Sequence, residues 1–319
     1  MSDFSRVVGQ TAAVKVLRHV LNTGKAAHAY LFTGPSGVGK RLTAAIFAQG
    51  LNCENKLNKP CGVCLSCQKS LHDNHPDVVK LKPMGQSFRI EQVRQLQKLA
   101  HTKVYEGEYK VFILEDMHKA TLQASNSLLK ILEEPPGNAV FILITENPQA
   151  IPATVLSRCQ KINFAPLASA TIQTVLERHG YSGERVPLAA NLAFGSLGHA
   201  LEIVEDEQLF KARNYAFQYL QGALSKDYFR IYKAIESYEK DKLDMGQFLE
   251  QLLFLLRDAF RRDIGVLEQE AELAQALNLS QSSLQQALQF VLVADEWKRK
   301  QANNKLILDV LGLRLANLA

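Results

Sequence analysis

Apolar and polar positions alternate in two different ways along this 319-residue chain. Up to about residue 165, helical spacing is interrupted by short, wholly apolar runs. Ala13, Val14, Val16, Leu17, Val20 and Leu21 recur every three to four positions and predict a helix. Ala29–Phe32 is an apolar run of strand length, and Leu42, Ala45, Ile46, Ala48 and Leu51 return to the helical period. The same alternation continues. Pro76–Leu81 predicts a strand, Ile90–Ala100 an amphipathic helix and Lys110–Leu114 a buried strand. A helix from Ala124 stops at Pro135-Pro136, Val140–Thr145 predicts another buried strand, and Ile162–Phe164 a last short one. Strands alternating with helices imply a parallel α/β sheet. Beyond Pro166 only helical spacing remains. Phe217, Leu220, Tyr228, Ile231, Ile235, Phe248, Leu252, Leu255 and Leu256 lead on to Leu284, Leu288, Val291 and Leu306–Leu308, which predicts a helical bundle.

Composition narrows the class. Apolar residues make up 47% of the chain and the net charge is +5, ordinary for a globular protein and compatible with meeting DNA. No apolar run is long enough to span a membrane, and the N-terminus has no apolar leader core. The expectation is a cytoplasmic protein whose five cysteines stay reduced, as ligands or free thiols.

Four of those cysteines fall within fifteen residues: Cys53, Cys61, Cys64 and Cys67. A C-x2-C-x2-C run with one upstream cysteine wraps a tetrahedral ion, and four thiolates leave no open position, so the role is structural. An iron–sulfur cluster is the rival ligand. Nothing else in the chain suggests electron transfer, which favours zinc. The nearby His75 reads as a loop or surface histidine rather than a ligand.

The stretch Gly34-Pro35-Ser36-Gly37-Val38-Gly39-Lys40-Arg41 follows the predicted strand and opens a helix. It fits the phosphate-cradling pattern G-x-x-x-x-G-K-[ST] except at its last position. Glycines let backbone N–H groups curl round a polyphosphate, and Lys40 reaches the terminal phosphates. The last position should offer a hydroxyl to Mg²⁺. A guanidinium has no lone pair to give, so Arg41 makes Mg²⁺ binding doubtful. Glu115 and Asp116, at the end of an apolar strand, are the carboxylates expected beside such a loop.

Together with Val8-Gly9-Gln10, His28–Phe32, the cysteines, Ser127–Lys130, Leu132–Pro136 and Ser157-Arg158-Cys159, these motifs resemble the AAA+ family of bacterial sliding-clamp loader subunits. The resemblance is specific over residues 1–165, while the helical tail matches by length and character only. It implies a RecA-like AAA+ domain over 1–166 with the four-cysteine zinc module at about 52–72, a helical lid over 167–207 and a helical collar over 208–319. It implies a nucleotide site of Val8, Gly34, Gly37, Gly39, Lys40, Arg41, Glu115, Asp116 and Thr145. It also implies that Arg158 points toward a neighbour's nucleotide, as an arginine finger supplied in trans.

Family members of the gamma/tau kind hydrolyse ATP, whereas the delta-prime kind is a non-hydrolysing stator. Three departures favour the second. Arg41 replaces the metal-binding hydroxyl, Glu115-Asp116 inverts the motors' acid order, and Gly198 stands where the motors carry an arginine. The expectation is therefore no ATPase activity of its own, with ATP or ADP held passively if at all. The implied partners are gamma/tau and delta subunits in a hetero-pentameric ring, and through it the sliding clamp and primer-template DNA, with no membrane. The alternatives are a hydrolysing gamma/tau-type motor and a zinc-stabilised DNA-binding module outside replication.

Overall fold

The structure is a computed structural model describing residues 3–85, 87–263 and 280–318. The chain divides into two compact units, Met1–Glu202 and Ile203–Ala319.

The first unit is built on five parallel strands: β1 (Ala29–Thr33), β2 (Val78–Leu81), β3 (Lys110–Leu114), β4 (Ala139–Thr145) and β5 (Gln160–Asn163), in the order β2-β3-β4-β1-β5. Its helices are α1 (Thr11–Thr23), α2 (Lys40–Leu51), α3 (Leu65–Leu71), α4 (Ile90–Ala100), α5 (Leu122–Glu133) and α6 (Ala153–Leu156). Then come α7 (Ser169–Arg178), α8 (Arg185–Leu192) and α9 (Leu197–Glu205). The strands β1, β3 and β4 are buried at every position because both sheet faces are covered. Side chains alternate between the faces. Tyr30, Phe32, Val111, Ile113, Ile142 and Ile144 pack with Leu17 of α1 and Phe47 of α2. Leu31, Phe112, Leu114, Phe141 and Leu143 pack with Val93 and Leu96 of α4 and Leu128 of α5.

These observations bear out the expected α/β class with a helical C-terminal part. The last strand differs from the expected Ile162–Phe164: it begins at Gln160 and ends at Asn163. It lies at the sheet edge against β1 alone, and of its four residues only Ile162 is buried, so it carries little apolar signal. The register Leu31↔Leu143 and Leu114↔Leu143 puts β4 between β1 and β3, which brings the loops after all three to one edge.

The second unit contains α10 (Glu207–Leu224), α11 (Tyr228–Lys240), α12 (Met245–Asp263), α13 (Gln281–Arg299) and α14 (Asn304–Ala316). Its core gathers Tyr219, Leu220, Ile235, Tyr238, Phe248, Leu252, Leu256, Val291 and Leu308. Trp297 packs partly buried against this core, with the Arg314 guanidinium 5.0 Å from its ring centre.

Candidate nucleotide site and metal centre

The glycine-rich loop leaves β1 and enters α2, with Gly39 as the residue before the helix. Two glycines are required by close approach. A Cβ on Gly34 would lie 2.2 Å from the Phe164 carbonyl oxygen, and one on Gly37 would lie 2.0 Å from Ser196 Oγ. The second approach comes from α9, where the Gly198 N–H donates to the Gly37 carbonyl at 3.1 Å. Ser196 Oγ in turn accepts from His199 N at 3.1 Å and caps that helix. From the other side, Gln10 Nε2 donates to the Ala165 carbonyl at 2.8 Å and the Val38 carbonyl at 3.3 Å. Gln10 thus ties the N-terminal segment to both the loop and the end of β5.

A cleft of about 650 Å³ lies over the loop, lined by Gly37, Gly39, Lys40, Arg41, Asp116, Glu146, Phe194, His199 and Glu202 among others. That volume lies in the range of small-molecule sites. Lys40 is 5% exposed and its ammonium donates to the carbonyls of Gly34, at 2.7 Å, and Pro35. Burial lowers its pKa below the ordinary lysine value, with Glu146 pulling the other way.

Arg41 reaches across to the end of β3. Its Nε lies 2.7 Å from Glu115 Oε2 and its Nη2 3.1 Å from Asp116 Oδ1. The Glu115 contact is electrostatic rather than a directed hydrogen bond, since Glu115 Oε2 has no aligned donor. Asp116 stands in the left-handed region at φ 52, a conformation that aspartate tolerates better than most residues and that recurs at functional sites. Burial works to raise the Asp116 carboxyl, but Arg41 and Lys119 outweigh it and hold the group below its ordinary value. Lys82 lies 3.6 Å from Glu115 and Lys119 3.3 Å from Asp116. Three cations therefore already face the two carboxylates. The residues do not fit Mg²⁺: the hydroxyl ligand is missing, and a guanidinium sits on the acids that would hold the ion.

The cysteine cluster does fit a metal. The sulfur atoms of Cys53, Cys61, Cys64 and Cys67 all lie within 4.8 Å of one another. The Cys61–Cys67 separation is 3.9 Å. A tetrahedron with bonds of about 2.3 Å has edges of about 3.8 Å, so one Zn²⁺ matches the spacing. A multi-iron cluster would hold its thiolates on separate atoms and further apart. The amides of Cys61, Cys64 and Cys67 each point at a cluster sulfur at 3.4 Å. Burial raises the Cys53 and Cys67 thiols. Burial also works to raise Cys61, but backbone N–H groups and neighbouring thiols outweigh it and lower that thiol to about 7. A cation would hold all four as thiolates. The cluster is fastened to the sheet by a polar chain. Gln49 of α2 donates to the Cys67 carbonyl at 2.9 Å, and Ser66 Oγ donates to the Asn52 carbonyl at 2.6 Å and lies 3.0 Å from His75 Nε2. His75 lies in the loop before β2, as one of the expected alternatives, but it is buried rather than at the surface. It is no ligand; it braces the residue beside Cys67.

Arg158 follows α6. Its Nη2 donates to Glu133 Oε1 at 2.6 Å and its Nη1 to the Thr154 carbonyl at 2.8 Å. The guanidinium is about one-third exposed and its partner about half exposed.

The family described as "DNA polymerase III, delta subunit" matches residues 9–168. The chain belongs to the clamp-loader subunits of DNA polymerase III. It is 30% identical over 259 residues to the delta-prime subunit of Bacillus subtilis, covering 80% of this chain and 78% of that one. It is 32% identical over 263 residues to the tau subunit of the same organism, covering 78% of this chain and 46% of that one. With Escherichia coli tau it shares 35% over 210 residues, 63% of this chain and 32% of the relative. The chain thus spans less than half the length of the tau relatives. Identity of this size does not separate the two kinds of clamp-loader subunit.

Of the residues expected at the nucleotide site, this clamp-loader fold brings Gly37, Gly39, Lys40, Arg41 and Asp116 into the cleft wall. Gly34 meets the site through its carbonyl on Lys40, and Glu115 through its contact with Arg41. Val8 does not line the cleft. Thr145 is buried at the end of β4, where its Oγ1 accepts from Asn147 N at 3.2 Å. The sequence reading missed Gln10 as a tether, the cations Lys82 and Lys119, and the acids Glu146 and Glu202. Lys82, Lys119 and Glu146 follow strand C-termini, the edge at which parallel sheets present functional groups, and that placement was the available signal.

Proposed function

We propose that this chain is the delta-prime, stator-like subunit of a bacterial replicative clamp loader. It completes a ring with gamma/tau and delta subunits that sets the sliding clamp on primer-template DNA. The observation that carries this reading is Arg41 seated on Glu115 and Asp116. A site whose acids are paired with a guanidinium, in a loop without its hydroxyl, is not arranged for Mg²⁺-dependent hydrolysis. Gly198 supports the same reading, because no side chain projects from that position toward a transferred phosphoryl group. The four cysteines hold one structural Zn²⁺, which cross-links a module too small to fold on its own core.

The chain's contribution to catalysis is then Arg158, offered to a neighbour's ATP. Its present ion pair with Glu133 is solvent-accessible, and such pairs are worth about 0–1 kcal/mol, so exchanging the partner for phosphate costs little. A guanidinium remains charged at any physiological pH and matches phosphate oxygens in geometry. The second reading, a motor subunit, is favoured by the intact Gly37, Gly39 and Lys40 and by the open cleft above them.

Reconstitution with gamma/tau and delta subunits separates the two. Arg158→Ala leaves assembly intact and lowers clamp-stimulated ATP hydrolysis by the ring; an arginine finger is worth about 10³–10⁵ in rate at the one site it serves. Lys40→Ala changes ring hydrolysis far less, and the purified chain alone shows negligible turnover. If Lys40→Ala cripples the ring while Arg158→Ala is silent, the chain is a motor.

A further inference from the structure

The acids at the end of β3 are partnered by three cations. Glu115 is 5% exposed at its side chain and has Arg41 at 2.7 Å and Lys82 at 3.6 Å. Asp116 has Arg41 at 3.1 Å and Lys119 at 3.3 Å. Two negative charges facing three positive ones leave the carboxylate pair with a local surplus of +1. A divalent cation entering here would meet a positive site and would have to expel a guanidinium from two oxygens. A polyphosphate entering the cleft would meet Arg41 and Lys40 in its wall, together with the acids Glu146 and Glu202. The cleft beside this pair is open, Lys40 stands in its wall, and α2 begins there with its N-terminal amides toward the loop. Arg41 belongs to both settings: its position is the first turn of that helix, and its head lies on the acids.

We propose that this is a nucleotide site that works without a divalent metal, in which Arg41, backed by Lys82 and Lys119, supplies the positive charge that magnesium would otherwise bring. The ligand class is a nucleoside di- or triphosphate taken up as the free polyanion. Held without a metal, the nucleotide is a static ligand of the ring rather than a fuel, which deepens the stator reading and rests on it.

Calorimetric titration of the full chain with ATP and with ADP, each in excess magnesium and in EDTA, tests the proposal. The expected result is binding in EDTA at least as tight as in magnesium. Arg41→Thr, which returns a hydroxyl and frees the acids, makes binding respond to the metal, with affinity rising about tenfold or more when magnesium is added. Arg41 is 58% exposed at its side chain, so the variant should fold, and a thermal melt checks this. Should it fail to fold, Arg41→Gln, which keeps the chain length and removes the charge, carries the same expectation. Three results overturn the proposal: wild-type affinity that rises tenfold or more with magnesium, no binding of either nucleotide under either condition, or a folded Arg41 variant still indifferent to magnesium. None of these depends on ring assembly. Failure of the stator reading shows as ATP hydrolysis, by the ring or the chain, whereas failure here shows in nucleotide binding.

Discussion

Asp77 is fully buried just before β2, and its carboxylate accepts from the amides of Tyr105, Glu106 and Gly107 at 2.7, 2.9 and 2.9 Å. Asp77→Ala strands those three donors and costs about 3 kcal/mol in urea unfolding, while Asp77→Asn costs less. Burial works to raise this carboxyl, but the three amides outweigh it and hold it below the usual value. Its contribution is therefore complete above about pH 4 and lost as pH falls through the folded value. His75 behaves differently. Asp77 N donates to its Nδ1 at 3.1 Å, so the proton sits on Nε2 and points at Ser66 Oγ, 3.0 Å away. Burial lowers its pKa, against the pull of Glu106 and Asp77 and with the push of Lys69. The unfolded chain then binds this proton more readily than the folded one. Stability is complete above about pH 6.5 and declines as pH falls below that value. Urea midpoints measured from pH 7.5 downward should show the decline, and His75→Gln should flatten it. A slope unchanged by the substitution would remove His75 as its source.

The cysteine module is the element whose fate depends on a ligand. Cys64 serves it twice, as one of the four sulfurs and as the residue capping α3, where its Sγ accepts from Cys67 N at 3.4 Å. Leu57, Val63 and Leu65 point into solvent, so little apolar burial holds the segment together. Structural zinc contributes roughly 10–16 kcal/mol to small sites of this kind, far more than such a module gains from packing. Cys64→Ser should abolish stoichiometric metal and open residues 52–72 to hydrogen exchange, while the amides of β1, β3 and β4 remain protected. Loss of protection across the sheet would mean that the module is part of the main core. Freshly prepared wild-type protein containing iron, or no metal, would reject zinc itself.

Each of the two compact units has its own core, and so its own stability. In the second, Phe248 is fully buried, with its ring centre 5.6 Å from that of Tyr219 and 5.1 Å from that of Tyr238. Phe248→Ala removes the ring joining α10, α11 and α12 and should cost that unit about 3–5 kcal/mol. The expected outcome is lower protection from hydrogen exchange in α10–α12 and weaker capture of gamma/tau subunits, with metal content unchanged. Equal loss of protection in both units would show that they unfold as one.

Periodicity alone determined the parallel α/β half, the helical half and the order of their main elements, though not the short helix α3, because strands covered on both faces must be apolar throughout and amphipathic helices must repeat every three to four residues. Spacing alone determined the four-cysteine cluster and the phosphate loop, since both are local: a metal knuckle and a helix-capping loop close within a few residues. Arg41 was visible as a missing hydroxyl. Its place on Glu115 and Asp116 was decided only by the sheet, which sets β4 between β1 and β3 and brings residues far apart in the chain to one edge. Lys82 and Lys119 were silent for the same reason, as a lysine after a strand reads as solvated until a buried carboxylate is found beside it. The burial of His75 was missed because burial of a polar side chain depends on a partner elsewhere in the chain, here Ser66. The edge strand β5 was misplaced because a strand with one neighbour needs only one inward residue. Local chemistry is written in short stretches of sequence, whereas charge balance and burial are properties of what the fold brings together.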